Sequence, residues 1–403
     1  MEILPIHTPR DFNPLELLKP LADVLAGEGP VVAPYATDEP PANLLTGLTD
    51  LSPNGAERHA QQAPAGLAPD TAVVVSTSGS TGEPKQTMLT IDSLAASSMA
   101  TAITLQGEGQ WLCTLPVHHV AGLQVLIRSL YAGTKPMVMD PSNGFDTEAF
   151  TSAAREMTDP HRYVSLVPTQ LHRLLDSPDP STLSVLRRFN AILLGGSPVN
   201  SDLLAAAAGE GLKVFTTYGM SETCGGCVYD GKPLPGVQIK LDDGRIRLGG
   251  DVVAAGYLNE PELTGRRFID EDETRWYVTD DLGEFDDDGR LRVIGRVDDV
   301  VISGGLKISA ASVRKTIEGV AGVQSAFVAG VESAEWGHVV AAAVVGSADT
   351  QAVTDAVRRD IAAEAVPKVV KFVSELPMLP TGKPDRQRLI HLLERTYRDE
   401  STA

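Results

Sequence analysis

The stretch Ser76-Thr77-Ser78-Gly79-Ser80-Thr81-Gly82-Glu83-Pro84-Lys85 carries five hydroxyls, two glycines and a lysine just after an apolar run, Ala72-Val73-Val74-Val75. Glycines let backbone N–H groups turn inward, hydroxyls add donors and the lysine adds positive charge, so such a loop suits a polyphosphate. It is not a Walker loop, which needs four residues between its glycines and a hydroxyl residue after its lysine. Here only Ser80 and Thr81 separate Gly79 from Gly82, Pro84 intervenes and Gln86 follows Lys85. A Ser/Gly linker is the plainer alternative. The strand-like run before the loop and the α/β alternation after it weigh against a linker.

Other chemistry-bearing residues stand just after apolar runs. Gly195-Gly196-Ser197-Pro198 follows the run 191–194, and two glycines there let a flat ligand approach the backbone. Thr216-Thr217-Tyr218-Gly219-Met220-Ser221-Glu222-Thr223 offers an aromatic face, hydroxyls and a carboxylate. A base could stack on Tyr218, and Glu222 with phosphate oxygens could hold Mg²⁺. His118-His119 follows Pro116-Val117 at a strand-to-helix junction and could line a pocket. With no third ligand nearby, the pair is not read as a metal site. Arg128, nine residues beyond His119, could hold a carboxylate by two parallel hydrogen bonds, but from the residues alone it reads as a surface arginine. Cys224-Gly225-Gly226-Cys227 lacks the second pair that zinc would need and the context that redox chemistry would need. It reads as a wall of small residues. Lys383, in Pro380-Thr381-Gly382-Lys383, is by composition an ordinary surface lysine.

These residues need elements to hold them. Apolar runs at 72–75, 111–115, 136–139, 163–167, 191–194 and 213–217 predict strands, and helices are predicted near 91–103, 121–131, 146–156, 168–176, 182–188 and 200–209. The alternation predicts a mostly parallel sheet covered on both faces, with ligands at the carboxyl ends of its strands. Before it, 15–25 predicts a short helix and 52–70 a loop, and no chemistry is visible in 1–70. From 235 to 300 two hairpins are predicted, turning at Asp242-Asp243-Gly244 and at Asp286-Asp287-Asp288-Gly289. From about 299 a smaller α+β unit is predicted, with helices at 311–319 and 350–364 and apolar runs at 323–331 and 338–345. The fold class is therefore α/β: a large N-terminal domain with mostly parallel sheets and a β-rich module, then a small α+β C-terminal domain.

At 403 residues, 42% hydrophobic and 22% charged, the chain has the composition of a globular protein of two or three domains. A net charge of −19 argues against general nucleic-acid or membrane-surface binding, though not against a local basic site for an anionic ligand. The apolar runs are too short for a membrane span, and there is no signal-peptide pattern, so a cytoplasmic location is expected. Three cysteines, Cys113, Cys224 and Cys227, do not make a disulfide framework. The oligomeric state stays open.

The ordered set Ser76–Lys85, Thr216–Glu222, Trp276–Gly283, Gly295–Asp299, Ser303-Gly304-Gly305 and Pro380–Lys383 resembles the acyl-adenylate-forming superfamily, over about 72 to 390. That superfamily includes acyl- and aryl-CoA ligases, peptide-synthetase adenylation domains and beetle luciferases. Within it, Tyr218–Gly231, Leu194–Pro198 and His119–Leu123 resemble the o-succinylbenzoate–CoA ligases of menaquinone synthesis, the actinobacterial members in particular. The short stretch before the phosphate loop implies a trimmed N-terminal subdomain. Asp280 stands where Gly is common in Thr-Gly-Asp, and Leu306 follows Gly305 where Glu is frequent.

The resemblance implies an AMP-forming acid–thiol ligase using ATP, Mg²⁺ and coenzyme A. It implies that Ser78, Gly79, Ser80, Thr81, Gly82 and Lys85 cradle the β- and γ-phosphates and that Glu222 holds Mg²⁺. Tyr218 and the Gly195, Gly196 and Ser197 backbone would flank adenine, with Thr217, Gly219 and Ser221 in the same ATP-binding segment. Asp281 would bind the ribose hydroxyls, and Arg296 the ribose–phosphate region. Lys383 would bridge carboxylate and α-phosphate. His119 would gate the acid pocket, which Gly219 borders, and Arg128 becomes a candidate for the distal carboxylate of succinylbenzoate. The domains implied are 1–297 and a mobile 298–403, hinged at Asp298. Rotation would withdraw Lys383 and bring Gly304 and Gly305 toward the pantetheine arm. Alternatives are a benzoate- or cinnamate-type aryl-CoA ligase, an adenylating loader of a carrier protein, or a non-catalytic nucleotide-binding module. A pure binder has no use for a lysine on a second, moving domain.

Overall fold

The computed structural model describes residues 2–37, 39–41, 66–77, 84–142, 144–176, 178–303, 306–333, 336–378 and 384–401. The chain divides into two compact units, Met1–Lys240 with Arg247–Thr279, and Leu241–Ile246 with Asp280–Ala403. No helix among the described residues is long and apolar enough to cross a membrane.

The first unit holds two large sheets. The seven-stranded one runs Lys232–Pro233, Gly225–Tyr229, Val214–Met220, Ala191–Leu194, Arg162–Leu166, Gln110–Cys113, Met137–Val138. From Val214–Met220 to Met137–Val138 its strands are parallel, and Gly225–Tyr229 folds back antiparallel. All four side chains of Ala191–Leu194 are buried, as expected of a strand covered on both faces. The helices begin where the chain supplies caps. Thr90 and Ser93 form a capping box on Ile91–Thr104, Asp146 accepts from Ala149 N on Thr147–Arg155, and Asn200 accepts from Asp202 N on Ser201–Gly209. One core beside this sheet joins Leu112, Phe150, Val164, Leu171, Phe189 and Ile192. Each such side chain contributes about 1.5–3 kcal/mol on burial. The alternation expected from 111 to 217 is present, each element within a few residues of its predicted place.

The expected strand at 72–75 does not join that sheet. Thr71–Thr77 lies in a separate five-stranded sheet ordered Ile3–His7, Val31–Tyr35, Thr71–Thr77, Lys85–Thr90, Gly256–Tyr257. Its first three strands are parallel, and Lys85–Thr90 returns antiparallel to Thr71–Thr77, Thr77 opposite Lys85. These two antiparallel strands flank residues 78–83, which lie outside the described residues. The strand Lys85–Thr90 escapes sequence reading because Gln86 and Thr87 are polar yet fully buried.

The strand Thr274–Phe285 begins in the first unit and ends in the second. Its second part pairs with Leu291–Arg296, from Phe285↔Leu291 to Asp281↔Arg296, around the predicted acidic turn. The rest of the second unit is a sheet of Val300–Ser303, Leu306–Ser309, Val323–Ser333, Gly337–Gly346 and Val369–Val373, with helices Ala310–Glu318, Thr350–Asp360 and Arg386–Ser401. Val313, Ile317, Val344, Val353 and Val357 pack on one face, and Phe327, Val339, Leu389 and Leu393 on the other. The α+β expectation holds. The helix expected at 350–364 ends at Asp360, and Val369–Val373 and Arg386–Ser401 were not foreseen.

Candidate active site

The strands Ala191–Leu194 and Val214–Met220 end side by side, Leu194 opposite Thr216. Beyond Leu194 the chain must pass close to its neighbour: a Cβ on Gly195 would lie 2.3 Å from Thr217 Oγ1. Gly196 follows with φ +84°, a left-handed conformation suited to glycine. The backbone of Gly195 is thereby brought against Thr217, while a Cβ on Gly196 would meet Val167 Cγ1 at 3.4 Å. Gly219 is demanded by backbone packing, since a Cβ there would sit 2.1 Å from the carbonyl oxygen of Gly225 on the returning strand.

Glu222 lies in the one-turn helix Ser221–Thr223 between those antiparallel strands. The turn is fixed by Met220 N donating to Thr223 Oγ1 at 3.1 Å and by Cys224 at φ +52°. The Glu222 side chain is buried, and Tyr257 donates its phenol to Oε1 at 2.7 Å. Tyr277 stands 3.2 Å from the Tyr257 oxygen, and because the Tyr257 proton is committed to the carboxylate, Tyr277 is the donor. Burial, with Glu222 beside it, pushes the Tyr257 pKa far up, so this phenol stays a donor. Lys85 Nζ lies 5.4 Å from the centre of the same ring. One carboxylate oxygen is thus engaged by a neutral donor, and the other has no protein partner among the described residues. That suits Mg²⁺, which is commonly bound by one carboxylate plus phosphate oxygens. No group of three or more His, Cys, Asp or Glu among the described residues could hold a metal by itself.

The residues expected to meet the acid lie on the helix Val120–Tyr131, with His119 at its N-cap. Gln124 and Arg128 lie one turn apart on it. Gln124 Nε2 donates to the carbonyl of Cys224 at 2.7 Å, and Ser97 Oγ donates to the same carbonyl at 3.2 Å. Arg128 is not the surface residue its composition suggests. It is 7% exposed, and its guanidinium lies 5.0 Å from the centre of the Trp111 ring. Arg128 Nε and Gln124 Oε1 are both buried without a hydrogen-bond partner among the described residues.

Cys113, Cys224 and Cys227 are all free, and burial pushes each thiol up to about 12. Cys224 also hydrogen-bonds Ser93. A buried, protonated pair is inert as a redox centre, in keeping with a wall of small residues.

In the second unit, Arg296 lies opposite Asp281 across the strand pair, its Nη1 3.5 Å from Asp281 Oδ1. Asp280, the departure from Thr-Gly-Asp, receives Arg245 Nη2 at 2.7 Å and has Arg296 Nη2 at 3.9 Å. The extra carboxylate therefore sits between two arginines of its own unit. Nearby, Arg386 Nη1 donates to Asp299.

Ser78, Gly79, Ser80, Thr81, Gly82, Gly304, Gly305 and Lys383 lie outside the described residues. Sequence reasoning missed Tyr257 and Gln124, and gave no role of its own to Tyr277 within the Trp276–Gly283 motif. Tyr257 sits on a two-residue strand without a local motif, whereas the unbroken apolar character around Gln124 and Arg128 marks a buried helix.

The AMP-binding enzyme family matches residues 14–258, and the AMP-binding enzyme C-terminal domain matches residues 315–383. The chain is 38% identical over 393 residues to a probable 2-succinylbenzoate–CoA ligase of Mycobacterium tuberculosis, covering 96% of this chain and 97% of that protein. Among solved structures it resembles ATP-bound MatB from Rhodopseudomonas palustris, with TM-score 0.80 and 26% identity, covering 98% of this chain and 89% of that one. It also resembles o-succinylbenzoate CoA synthetase (MenE) from Bacillus subtilis in complex with the acyl-adenylate intermediate OSB-AMP, with TM-score 0.71 and 26% identity over 92% and 80% of the two chains. The chain belongs to the AMP-binding enzyme family.

Proposed function

We propose that this chain is an AMP-forming acid–thiol ligase of menaquinone synthesis. It activates o-succinylbenzoate with ATP and passes the acyl group to coenzyme A. In the first step a carboxylate oxygen attacks the α-phosphorus, and the bond to pyrophosphate breaks. In the second the CoA sulfur attacks the acyl carbon, and AMP leaves. The near-complete coverage of the Mycobacterium tuberculosis ligase supports the reaction.

The observation that carries the choice of acid is Arg128, a buried cation with no anionic partner among the described residues. A dicarboxylate brings a second carboxylate to such a group, whereas a simple benzoate leaves it desolvated and unpaired. His119 lines the acid pocket, and Gly219 borders it. Charge that grows on the phosphoryl oxygens is met by Lys85, the loop Ser78–Gly82 and Lys383. Glu222, its carboxylate oriented by Tyr257, would hold Mg²⁺, which would supply neutralisation of phosphate charge there. Thr217, Tyr218, Ser221 and the Gly195–Ser197 backbone bind adenosine, with Asp281 and Arg296 on the ribose. The part from 298 onward turns about Asp298, exchanging Lys383 for Gly304 and Gly305. Three unpaired thiols fit a reducing compartment, and we place the protein in the cytoplasm.

A thioester assay with o-succinylbenzoate, benzoate and coumarate tests this. Expected are CoA thioester, AMP and pyrophosphate from succinylbenzoate, with little turnover of the others. Equal use of benzoate removes the assigned acid, and acyl transfer to a carrier protein but not to free CoA removes the ligase.

A further inference from the structure

We propose that Thr8 is a positioning residue for the acid pocket: its hydroxyl holds His118 in the Nδ1–H form, and His118 holds the ring of His119. The functional half of this rests on the reading of His119 as a pocket residue.

Thr8 follows the first strand, Ile3–His7, in a part of the chain whose sequence shows no chemistry. It is 3% exposed. Its backbone N–H donates to the carbonyl of Tyr35 at 2.8 Å, and its hydroxyl donates to the same oxygen at 3.0 Å. A hydroxyl has one proton to give and two lone pairs to offer. With the proton committed to Tyr35, Thr8 Oγ1 meets His118 Nδ1, 3.2 Å away, as an acceptor. We therefore assign the hydrogen to Nδ1 and the lone pair to Nε2.

Both sides of this contact are anchored. The strand Ile3–His7 is paired in parallel with Val31–Tyr35, and the Tyr35 ring stacks on His7 with centroids 5.3 Å apart. Thr8 is thus presented by a sheet and cannot follow a drifting imidazole. On the other side the His118 ring meets His119 edge-on, centroids 4.3 Å apart at 61°. His119 in turn occupies the N-cap position of the helix that carries Gln124 and Arg128, its backbone carbonyl accepting from Leu123 N at 3.0 Å. Burial lowers the His118 pKa, which keeps the ring neutral and a single donor.

Thr8→Val keeps the shape and removes the acceptor, and Thr8→Ser keeps the hydroxyl. Losing one hydrogen bond of ordinary strength corresponds to roughly a three- to tenfold effect. Thr8→Val is expected to raise KM for the acid by that factor with KM for ATP unchanged, and Thr8→Ser to restore it. Nitrogen-15 NMR of histidine-labelled full-length protein is expected to show His118 as Nδ1–H in the wild type and in Thr8→Ser. In Thr8→Val the population should move toward Nε2–H. A wild-type His118 in the Nε2–H form overturns the proposal, and this reading survives even if Thr8→Val fails to fold. An unchanged acid KM in Thr8→Val also overturns it. If His119→Ala leaves acid KM unchanged, the functional half falls with the pocket reading, while the tautomer still decides the Thr8–His118 bond.

Discussion

Tyr257 and Glu222 form a donor–acceptor pair at 2.7 Å, with the phenol held as a permanent donor by its burial. The pair joins two segments 35 residues apart, and Tyr277 donates to it from behind. A carboxylate held through one oxygen in this way leaves its second oxygen for the Mg²⁺ proposed to bind there.

Tyr257→Phe should therefore loosen Glu222 without emptying the core. A hydrogen bond to a charged group is worth about 1.5–3 kcal/mol. The Mg²⁺ concentration giving half-maximal pyrophosphate release is expected to rise by roughly tenfold or more, from the same energy. A Mg²⁺ titration of the variant checks this, and an unchanged half-saturation point would remove Tyr257 from the metal site.

Arg128→Ala separates the acid from the nucleotide. Loss of a charge-assisted contact corresponds to roughly ten- to a hundredfold in KM for o-succinylbenzoate. KM for ATP should stay constant. The variant also loses the stacking of Arg128 on Trp111, so a parallel denaturant melt is needed to keep folding apart from binding. An unchanged KM for the acid would contradict the assignment.

Lys383→Ala separates the two half-reactions. Substrate-dependent ATP–pyrophosphate exchange is expected to disappear, while thioester formation from supplied acyl-adenylate continues. Equal loss of both would contradict a role confined to adenylation.

The imidazole of His118 gives a pH signature. Burial holds its folded pKa below the ordinary 6.5, so the fold prefers the neutral ring. The sign follows from linkage: this contribution is full above pH 6.5 and is lost as pH falls from 6.5 toward the folded value. Urea melts of the wild type should therefore show stability dropping below about pH 6.5, by a margin that shrinks in His118→Phe. Identical pH dependence in the two proteins would mean that His118 titrates as it does in the unfolded chain.

Much of this was legible in the residues. Alternating apolar runs located nearly every element from 91 to 217, and the turns at Asp242–Gly244 and Asp286–Gly289 marked two hairpins. What local patterns cannot carry is the choice of strand partner. Thr71–Thr77 reads like any buried strand, yet it pairs with Lys85–Thr90 in a different sheet from the parallel run that follows. Burial of single polar groups is equally non-local. Arg128 is buried because Trp111 and the wall at Cys224 close over its helix, and Thr8 matters because a sheet carries it to His118. The departure at Asp280 also gains its reason in space, from Arg245 and Arg296.

The three buried thiols bear on the hazard of the proposed intermediate. An acyl-adenylate is an electrophile that any nearby thiolate would capture, leaving the enzyme acylated on its own side chain. Cys224 contributes its carbonyl to the framework around Gln124, yet burial pushes its thiol up to about 12 and seals the sulfur from solvent. The only competent sulfur nucleophile is then the one the co-substrate delivers, and the activated acid is preserved for it.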